Sequence, residues 1–374
     1  MILTTGGTMN IAEETIDFLF TEQLQIDQEW SYLLPTGFTW WADRNAQTVD
    51  IIGEETGPGG QSGYLICVRT ELLRELDLDA AALVEINALM GCSAMSGPVY
   101  DARARRLDLC SLARVDDANG PWMRYLLGAA AVLQVAEARM LAPLLAQATG
   151  AQPADSGHPT AGLREAPDEM AFAAGIFVTD GAQPCRWEPS EFDELAAHLA
   201  DGSSARGVTV AGRVLTLTFD YGSNGRMSSE CELRGDQTHP LYGNGLLILQ
   251  RFPVHVGSES DGITLALSLN AADLSHRLTG YGFGSYVYAD RAIHFTGFIP
   301  NTLHKPGLLP VLYSSSAARA QAMSDRLADG NWDAERYSVD AAVIARREQR
   351  IQQEQQPTGE PPPRGCPMRA RTDG

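Results

Sequence analysis

The chain has 374 residues, of which 44% are hydrophobic and 20% are charged, a composition typical of folded globular proteins. Because a single core rarely extends beyond about 250–300 residues, we expect two cores. The 28 basic and 47 acidic residues give a formal net charge of −19. Such a surface repels nucleic acid and anionic membranes and favours basic protein partners.

The first 150 residues predict one α+β unit, which begins with a helix and a meander. Asn10 and Glu13 have the spacing of a capping box, which opens a helix ending near Leu24. Aromatic and β-branched residues then predict a three-stranded meander, with strands at 30–41, 48–54 and 62–70.

A helix, a strand pair and a long closing helix complete this unit. Asp79 can cap a helix that carries Leu83, Ile86 and Met90 on one face. Strands follow at 99–101 and 107–112. The closing helix runs from Pro121 to about Ala148, with an expected kink at Pro143 and an end at Gly150.

The same order of elements is predicted again after residue 188. The predicted elements of this half are a helix from Ser190, as its N-cap, to before Gly202, strands at 208–210, 214–219, 227–233 and 246–252, a helix at 270–278, strands at 285–289 and 292–299, and a helix at 311–327.

Matching segments indicate that the two halves are copies of one α-β-β-β-α-β-β-α unit. Residues 97–101 followed by 107–109 parallel residues 286–290 followed by 293–295. The segments 120–125 and 305–309 occupy equivalent places before the closing helices. Chance alignment of common elements is the alternative explanation.

The expected fold is therefore α+β, with two similar domains that each consist of an antiparallel β-sheet backed by helices. The expected domain organisation is a first domain at 1–150, a linker at 151–187, a second domain at 188–330, a charged helix at 331–356 and a disordered tail at 357–374. Within the linker, the apolar patch 170–178 is expected to add an edge strand.

The order of elements, with the helical segment Ala-Leu-Val-Glu-Ile-Asn-Ala-Leu-Met at 82–90, resembles the type III secretion chaperone-like superfamily, which includes the bacterial YbjN-type regulators. The resemblance covers most of 10–150 and, more weakly, 188–329. It implies a protein that binds protein partners without catalysis. Such chaperones are usually small single-domain dimers, so two copies in one chain imply a monomer whose tandem domains form a pseudo-dimer.

The sequence does not contain a recognisable catalytic, cofactor or metal signature. The second half carries several histidines without metal-ligand spacing: His239, His255, His276, His294 and His304. The G-x-S-x-G pattern of a serine nucleophile is missing, and the glycine-rich segments 53–60 and 280–284 lack the features of phosphate and dinucleotide loops. We therefore expect no catalytic residue, no cofactor and no metal.

The compartment is expected to be the cytoplasm of a bacterium. Residues 1–10 lack the basic start and apolar run of a secretory signal. The most apolar stretch, 125–145, contains Gln134, Glu137 and Arg139, so we expect no membrane span there. The six cysteines are far apart without a C-x-x-C pair, which indicates reduced and mostly buried thiols.

Aromatic residues provide the candidate binding site. Trp40 and Trp41 are adjacent in a predicted strand and must point to opposite faces, so we expect one of them, flanked by Phe38, to face outward. Burial beneath a helix or the linker is the alternative. Trp122 and Tyr125 are the other notable aromatic residues.

Taken together, these features predict a non-catalytic protein-binding module, a chaperone-like or regulatory adaptor whose partner is a basic or a secreted protein. The alternative is a small-molecule-binding protein or an enzyme with a cleft between the two copies. An enzyme should show a deep polar pocket with converging histidines and carboxylates, whereas a protein-binding module should show an exposed apolar patch.

Overall fold

A computed structural model describes residues 9–56, 62–180, 183–200, 205–221, 227–275 and 282–327. These residues form an α+β fold with two antiparallel β-sheets of seven strands each. The charged helix expected at 331–356, the tail expected at 357–374 and His276 lie outside the described residues.

The first sheet is formed by the N-terminal part of the chain. Its elements are, in chain order, α1 (Ile11–Phe18), β1 (Ser31–Leu34), β2 (Gly37–Trp40), β3 (Gln47–Thr56), β4 (Ser62–Arg74), α2 (Ala80–Met90), β5 (Gly97–Asp101), β6 (Arg106–Val115), α3 (Gly120–Thr149) and β7 (Gln152–Pro153). The strand order is β1-β2-β3-β4-β6-β5, and β7 pairs with β4. The central helix α3 packs on β4 and β6.

The second sheet repeats this strand order. Its elements are, in chain order, α4 (Pro189–Ala200), β8 (Ala205–Ala211), β9 (Val214–Tyr221), β10 (Met227–Arg234), β11 (Thr238–His239), β12 (Gly243–Pro253), α5 (Glu259–Ser275), β13 (Ser285–Ala289), β14 (Ala292–Pro300) and α6 (Leu308–Leu327). The order is β8-β9-β10-β12-β14-β13, with β11 beside β12. In each sheet a four-stranded meander is followed by a helix and a hairpin, whose second strand pairs with the last strand of the meander.

The predicted start of α1 is confirmed by its hydrogen bonds. Asn10 Oδ1 accepts from the backbone N–H groups of Ala12 and Glu13, both at 3.0 Å, and the Glu13 carboxylate accepts from the Asn10 N–H at 2.9 Å. This capping box satisfies N–H groups that have no partner within the helix. The backbone continues as a π-helical turn, Leu19–Gln23, toward Leu24.

The prediction of a single strand at 30–41 is wrong, because this segment forms the β1–β2 hairpin. Pro35 and Thr36 lie between the paired strands, and proline, which cannot donate to the β-ladder, favours such a turn. Gly37 is required after the turn, because a Cβ atom there would collide with the Val49 carbonyl oxygen. Each meander therefore has four strands, and the predicted unit lacked one.

Two helix starts and one predicted strand also differ from the prediction. Helix α4 begins at Pro189, so Ser190 lies within the helix and is not its N-cap. Helix α5 begins at Glu259, about three turns earlier than expected. The apolar patch at 170–178 forms a 3₁₀-helix, Glu169–Phe177, and not an edge strand. Asp168 caps this 3₁₀-helix by accepting a hydrogen bond from the Met170 N–H at 2.9 Å.

The described residues of the expected linker, 151–180 and 183–187, pack closely on the rest of the protein. Ser156 Oγ accepts a hydrogen bond of 2.9 Å from the Ala46 N–H next to β3. Arg139 on α3 donates to the Ala171 carbonyl at 3.0 Å. Trp187 at the end of the segment is fully buried. These residues are therefore part of the folded structure and do not form a free linker.

The two sheets are joined by backbone and side-chain hydrogen bonds. The Phe298 N–H donates to the Ala94 carbonyl at 2.8 Å, and Leu112 and Gly282 form a backbone bridge. Asn87 on α2 bonds both backbone groups of Tyr288 on β13, at 2.8 and 2.9 Å. One hydrophobic cluster runs through both halves, so they share a continuous core.

Helix α3 lies at the centre of this core. We expected the stretch 125–145 to be too polar to span a membrane. By length and composition, however, α3 is long and apolar enough to cross one. However, 72% of its most apolar window is buried inside the protein. Burial of this kind is usual for the core helix of a globular domain.

Candidate functional site

The structure buries all three aromatic residues proposed for partner binding. Phe38, Trp40 and Trp41 are 0%, 2% and 5% exposed. The Trp40 indole N–H donates to Gln47 Oε1 at 2.9 Å inside the first half. The expectation that one tryptophan of the pair faces outward is therefore wrong.

Trp41 directly follows β2 and is covered by residues of the expected linker. Its indole N–H donates to Ser156 Oγ at 3.2 Å, and the His158 ring meets its ring edge-on at 5.0 Å. Arg164 donates to the Trp41 carbonyl at 2.6 Å. Burial beneath the linker, the alternative for this residue, is what the structure shows.

The described histidines among the five that the sequence singled out do not converge on one site. His255 is exposed, and His294 Nε2 lies 3.2 Å from the Ala289 carbonyl. His304 Nε2 lies 2.9 Å from Glu191 Oε1, while His239 is buried elsewhere. Within the described ranges, no group of three His, Cys, Asp or Glu side chains is arranged to hold a metal ion.

A buried polar cluster lies where the two halves meet, with Glu137 of α3 at its centre. The Glu137 carboxylate accepts hydrogen bonds from the Ser93 hydroxyl at 2.7 Å, the Ser96 hydroxyl at 3.2 Å, the Ala94 N–H at 3.0 Å and the Tyr242 hydroxyl at 3.2 Å. Desolvation nevertheless raises the pKa of Glu137, and the same burial raises the pKa of Tyr242. The carboxylate serves four donors and is shielded from solvent.

His239 borders this cluster and is held neutral. Its ring stacks on Tyr242 at 5.0 Å and lies 4.8 Å from the Phe298 ring. Burial lowers the pKa of His239 to about 4, and the nearby backbone of Cys92 acts in the opposite direction. Sequence reasoning missed this cluster because Glu137, Ser93 and Tyr242 are far apart in the chain.

An exposed apolar surface, here called the 172–178 ridge, consists of Phe172, Ile176 and Val178. These side chains are 63%, 67% and 51% exposed. The opposite side of the same 3₁₀-helix is anchored in the protein, because Ala171, Ala174 and Phe177 are buried. The sequence indicated this apolar patch but predicted an edge strand in place of the 3₁₀-helix.

Arg139 of α3 contacts the ridge and holds it in place. The Arg139 guanidinium lies 4.4 Å above the Phe172 ring and forms an ion pair of 2.7 Å with Asp43. Glu165 and Glu169, near the start of the 3₁₀-helix, are exposed carboxylates. The ridge therefore combines exposed apolar side chains on an anchored 3₁₀-helix with the Arg139 guanidinium on Phe172 and two exposed carboxylates that precede it in the chain.

A cavity of about 370 Å³, here called the α3–α6 cavity, opens between the first turns of the two closing helices. Its wall on α3 is formed by Trp122, Tyr125 and Leu126, and the facing wall by residues 302–308 and Val311. These walls contain the two segments that the sequence analysis matched as equivalents. On the α6 side, His304 contacts the Trp187 ring edge-on at 5.1 Å, which fixes this wall against the core.

Comparisons of the chain with protein-family models, with curated proteins and with solved structures found no match.

Proposed function

We propose that this protein is a non-catalytic protein-binding module, a chaperone-like or regulatory adaptor made of two related α+β units in tandem. Support comes from the identical strand order of the two sheets, and from the resemblance of the sequence to type III secretion chaperone-like and YbjN-type proteins. In this proposal the fused units take the place of the homodimer that such chaperones form, and the protein acts as a monomer in the bacterial cytoplasm.

The observation that carries the proposal is the 172–178 ridge. Three large apolar side chains more than half exposed within seven residues are uncommon on a surface without a partner. Their backbone is fixed by buried neighbours, so little conformational entropy is lost when a partner binds. Such preorganised apolar anchors are typical binding hot spots.

The chemistry beside the ridge indicates what the partner carries. Glu165 and Glu169, which precede the ridge in the chain, are exposed, and the whole chain has a net charge of −19. We infer that the partner segment presents apolar side chains together with Lys or Arg. The opposite charges would accelerate encounter, and the association rate would fall with added salt.

The buried cluster around Glu137 favours a non-catalytic role over an enzyme at the junction. A catalytic acid or base must reach its substrate within hydrogen-bond distance. Glu137 and Ser96 are 1% exposed, and the Glu137 oxygens are occupied by protein donors. The cluster has the features of a structural connection between the halves.

The proposal is tested by capture and binding with a ridge variant. Phe172→Ser combined with Ile176→Ser should lose the partner that the wild-type protein enriches from its native host. With that partner purified, the dissociation constant should rise by about thirtyfold or more, as expected when hot-spot residues are removed. Thermal melting should change little, because both side chains are exposed.

Val84→Ser is the matched control. Val84 is also exposed, at 45%, but lies on α2. It should keep wild-type affinity. A double ridge variant that binds the purified partner as tightly as wild type would refute the ridge as the docking site.

A further inference from the structure

The α3–α6 cavity has a composition that indicates a ligand of its own, independent of the ridge. Its walls are mainly apolar, formed by side chains such as Trp122, Leu126, Leu303 and Val311. Ligand sites are usually concave and apolar, with a few polar groups that orient the ligand. A volume of about 370 Å³ falls within the usual range for such sites.

The permanently charged side chain that lines this cavity is Lys305, the single lysine of the chain. Lys305 is exposed at the cavity wall, and among the described residues its ammonium has no carboxylate partner within ion-pair distance. Helix α6 begins at Leu308 in the same wall, so the positive end of its dipole adds to the ammonium charge. His304 is hydrogen-bonded to Glu191, so Lys305 is the residue that can bind an anionic group of the ligand.

We propose that the α3–α6 cavity binds a small amphipathic carboxylate, with its apolar chain between the helices and its carboxylate beside Lys305. At ~30 Å³ for each water-sized group, the cavity accommodates about twelve non-hydrogen atoms. That size corresponds to a carboxylate with a chain of about eight to ten carbon atoms. The apolar walls supply most of the affinity, and the ammonium selects the charged head group.

The position of the cavity gives ligand binding a structural role. One wall belongs to α3 and the other to α6, so a bound chain contacts both halves of the protein at once. A ligand that binds only the folded state stabilises it in proportion to the logarithm of its concentration. The carboxylate should therefore raise the melting temperature of the full chain.

Calorimetric titration of the full-length protein with octanoate tests this assignment, with octan-1-ol as the uncharged analogue and butyrate as the short one. We expect one saturable octanoate site per chain and weaker binding of octan-1-ol by about threefold or more, the effect of an exposed ion pair together with its hydrogen bond. The preference should shrink in high salt. Butyrate should bind much more weakly, because it buries less apolar surface.

Variants locate the site. Val311→Trp should fill the cavity and abolish binding, and Trp122→Leu, which removes part of the other wall, should weaken octanoate binding if Val311→Trp does not fold. Lys305→Met should remove the preference for octanoate over octan-1-ol. Arg103→Met, which removes another exposed cation, is the matched control and should leave both affinities unchanged.

Three results would overturn the assignment. The first is the lack of saturable octanoate binding, and the second is unchanged binding by a folded Val311→Trp or Trp122→Leu variant. The third is tighter binding of a short peptide with a free C-terminal phenylalanine, which would assign the cavity to a chain terminus. Because these titrations contain no protein partner, their failure leaves the ridge proposal unaffected, and the reverse also holds.

Discussion

The Tyr242 hydroxyl donates a hydrogen bond of 3.2 Å to Oε1 of Glu137 and thereby links the loop before β12 to the central helix of the other half. Both side chains are buried, at 4% and 1% exposure. The same Glu137 oxygen accepts from the Ala94 N–H, and the other oxygen accepts from Ser93 and Ser96. One carboxylate on α3 therefore connects the loop at residues 93–96 with Tyr242 of the second half.

Removal of this carboxylate should destabilise the protein strongly. Glu137→Ala leaves the Ala94 N–H and the Tyr242 hydroxyl buried without an acceptor, and we expect a loss of about 3 kcal/mol in the free energy of unfolding. Glu137→Gln keeps an acceptor oxygen and should stay within about 1 kcal/mol of wild type at neutral pH. Urea unfolding of the two variants measures this difference. Equal stability of Glu137→Ala and wild type would contradict the structural role.

The protonation of Glu137 should also be visible in stability. Since burial raises the pKa of Glu137 in the folded state, the folded protein holds this proton more tightly than the unfolded chain. Ionisation above about pH 4.5 therefore costs stability as the pH rises. Glu137→Gln does not ionise, so its stability relative to wild type should increase as the pH rises above about 4.5. A constant difference across this range would show that the carboxyl is ionised in both states.

His239 should give the opposite dependence on pH. Its pKa falls from 6.5 to about 4 on folding, so protonation below about pH 6.5 favours the unfolded chain. At pH 5 the expected loss relative to neutral pH is about 2 kcal/mol. His239→Asn should flatten this part of the stability profile, whereas His255→Asn, on an exposed side chain, should keep it. Guanidinium unfolding at pH 5 and pH 7 makes the comparison.

Trp41 should be as important for folding as Trp40. Trp41→Ala removes a buried side chain and should cost roughly 3–5 kcal/mol, the range for large buried aromatic residues. It also removes the contacts with Ser156 and His158 that hold the covering segment. Limited proteolysis of the variant should therefore begin near 155–165. A variant that melts like wild type and resists cleavage there would contradict this role.

The Asn87 amide should matter for the contact between the halves. Asn87→Ala leaves the N–H and the carbonyl of Tyr288 without their side-chain partner and should cost about 1–2 kcal/mol. Hydrogen exchange at the Tyr288 amide should become faster. Asn270→Ala, which removes equivalent bonds to Tyr286, should instead expose the Tyr286 amide. Unchanged protection at both amides would show that solvent or other groups replace the asparagines.

Local sequence patterns predicted most helices and strands, because alternation and helical periodicity report directly on burial. Leu215, Leu217 and Phe219 alternate onto one face of β9 and are all buried, as predicted. Four of the five cysteines in the described ranges are buried, as the sequence predicted.

The failures concern contacts between residues distant in the chain. Trp41 is buried by Ser156 and His158, more than 110 residues later, and strand alternation cannot report such a cover. The start of α5 was missed because Gly262 and the polar residues around it weaken the helical pattern. Gly262 is required there, because the Tyr288 ring occupies the space that a Cβ atom would fill. The cavity likewise depends on how α3 and α6 meet.

Asn87 of α2 and Asn270 of α5, which both bond to β13, have a consequence for the protein in concentrated solution. β13 is an edge strand of the second sheet, and an open edge can recruit a strand from another molecule and seed aggregation. Asn270 and Asn87 occupy the outward backbone groups of Tyr286 and Tyr288, so these groups are unavailable to a neighbouring chain. Two side-chain amides thus protect this edge from intermolecular β-pairing without an additional strand.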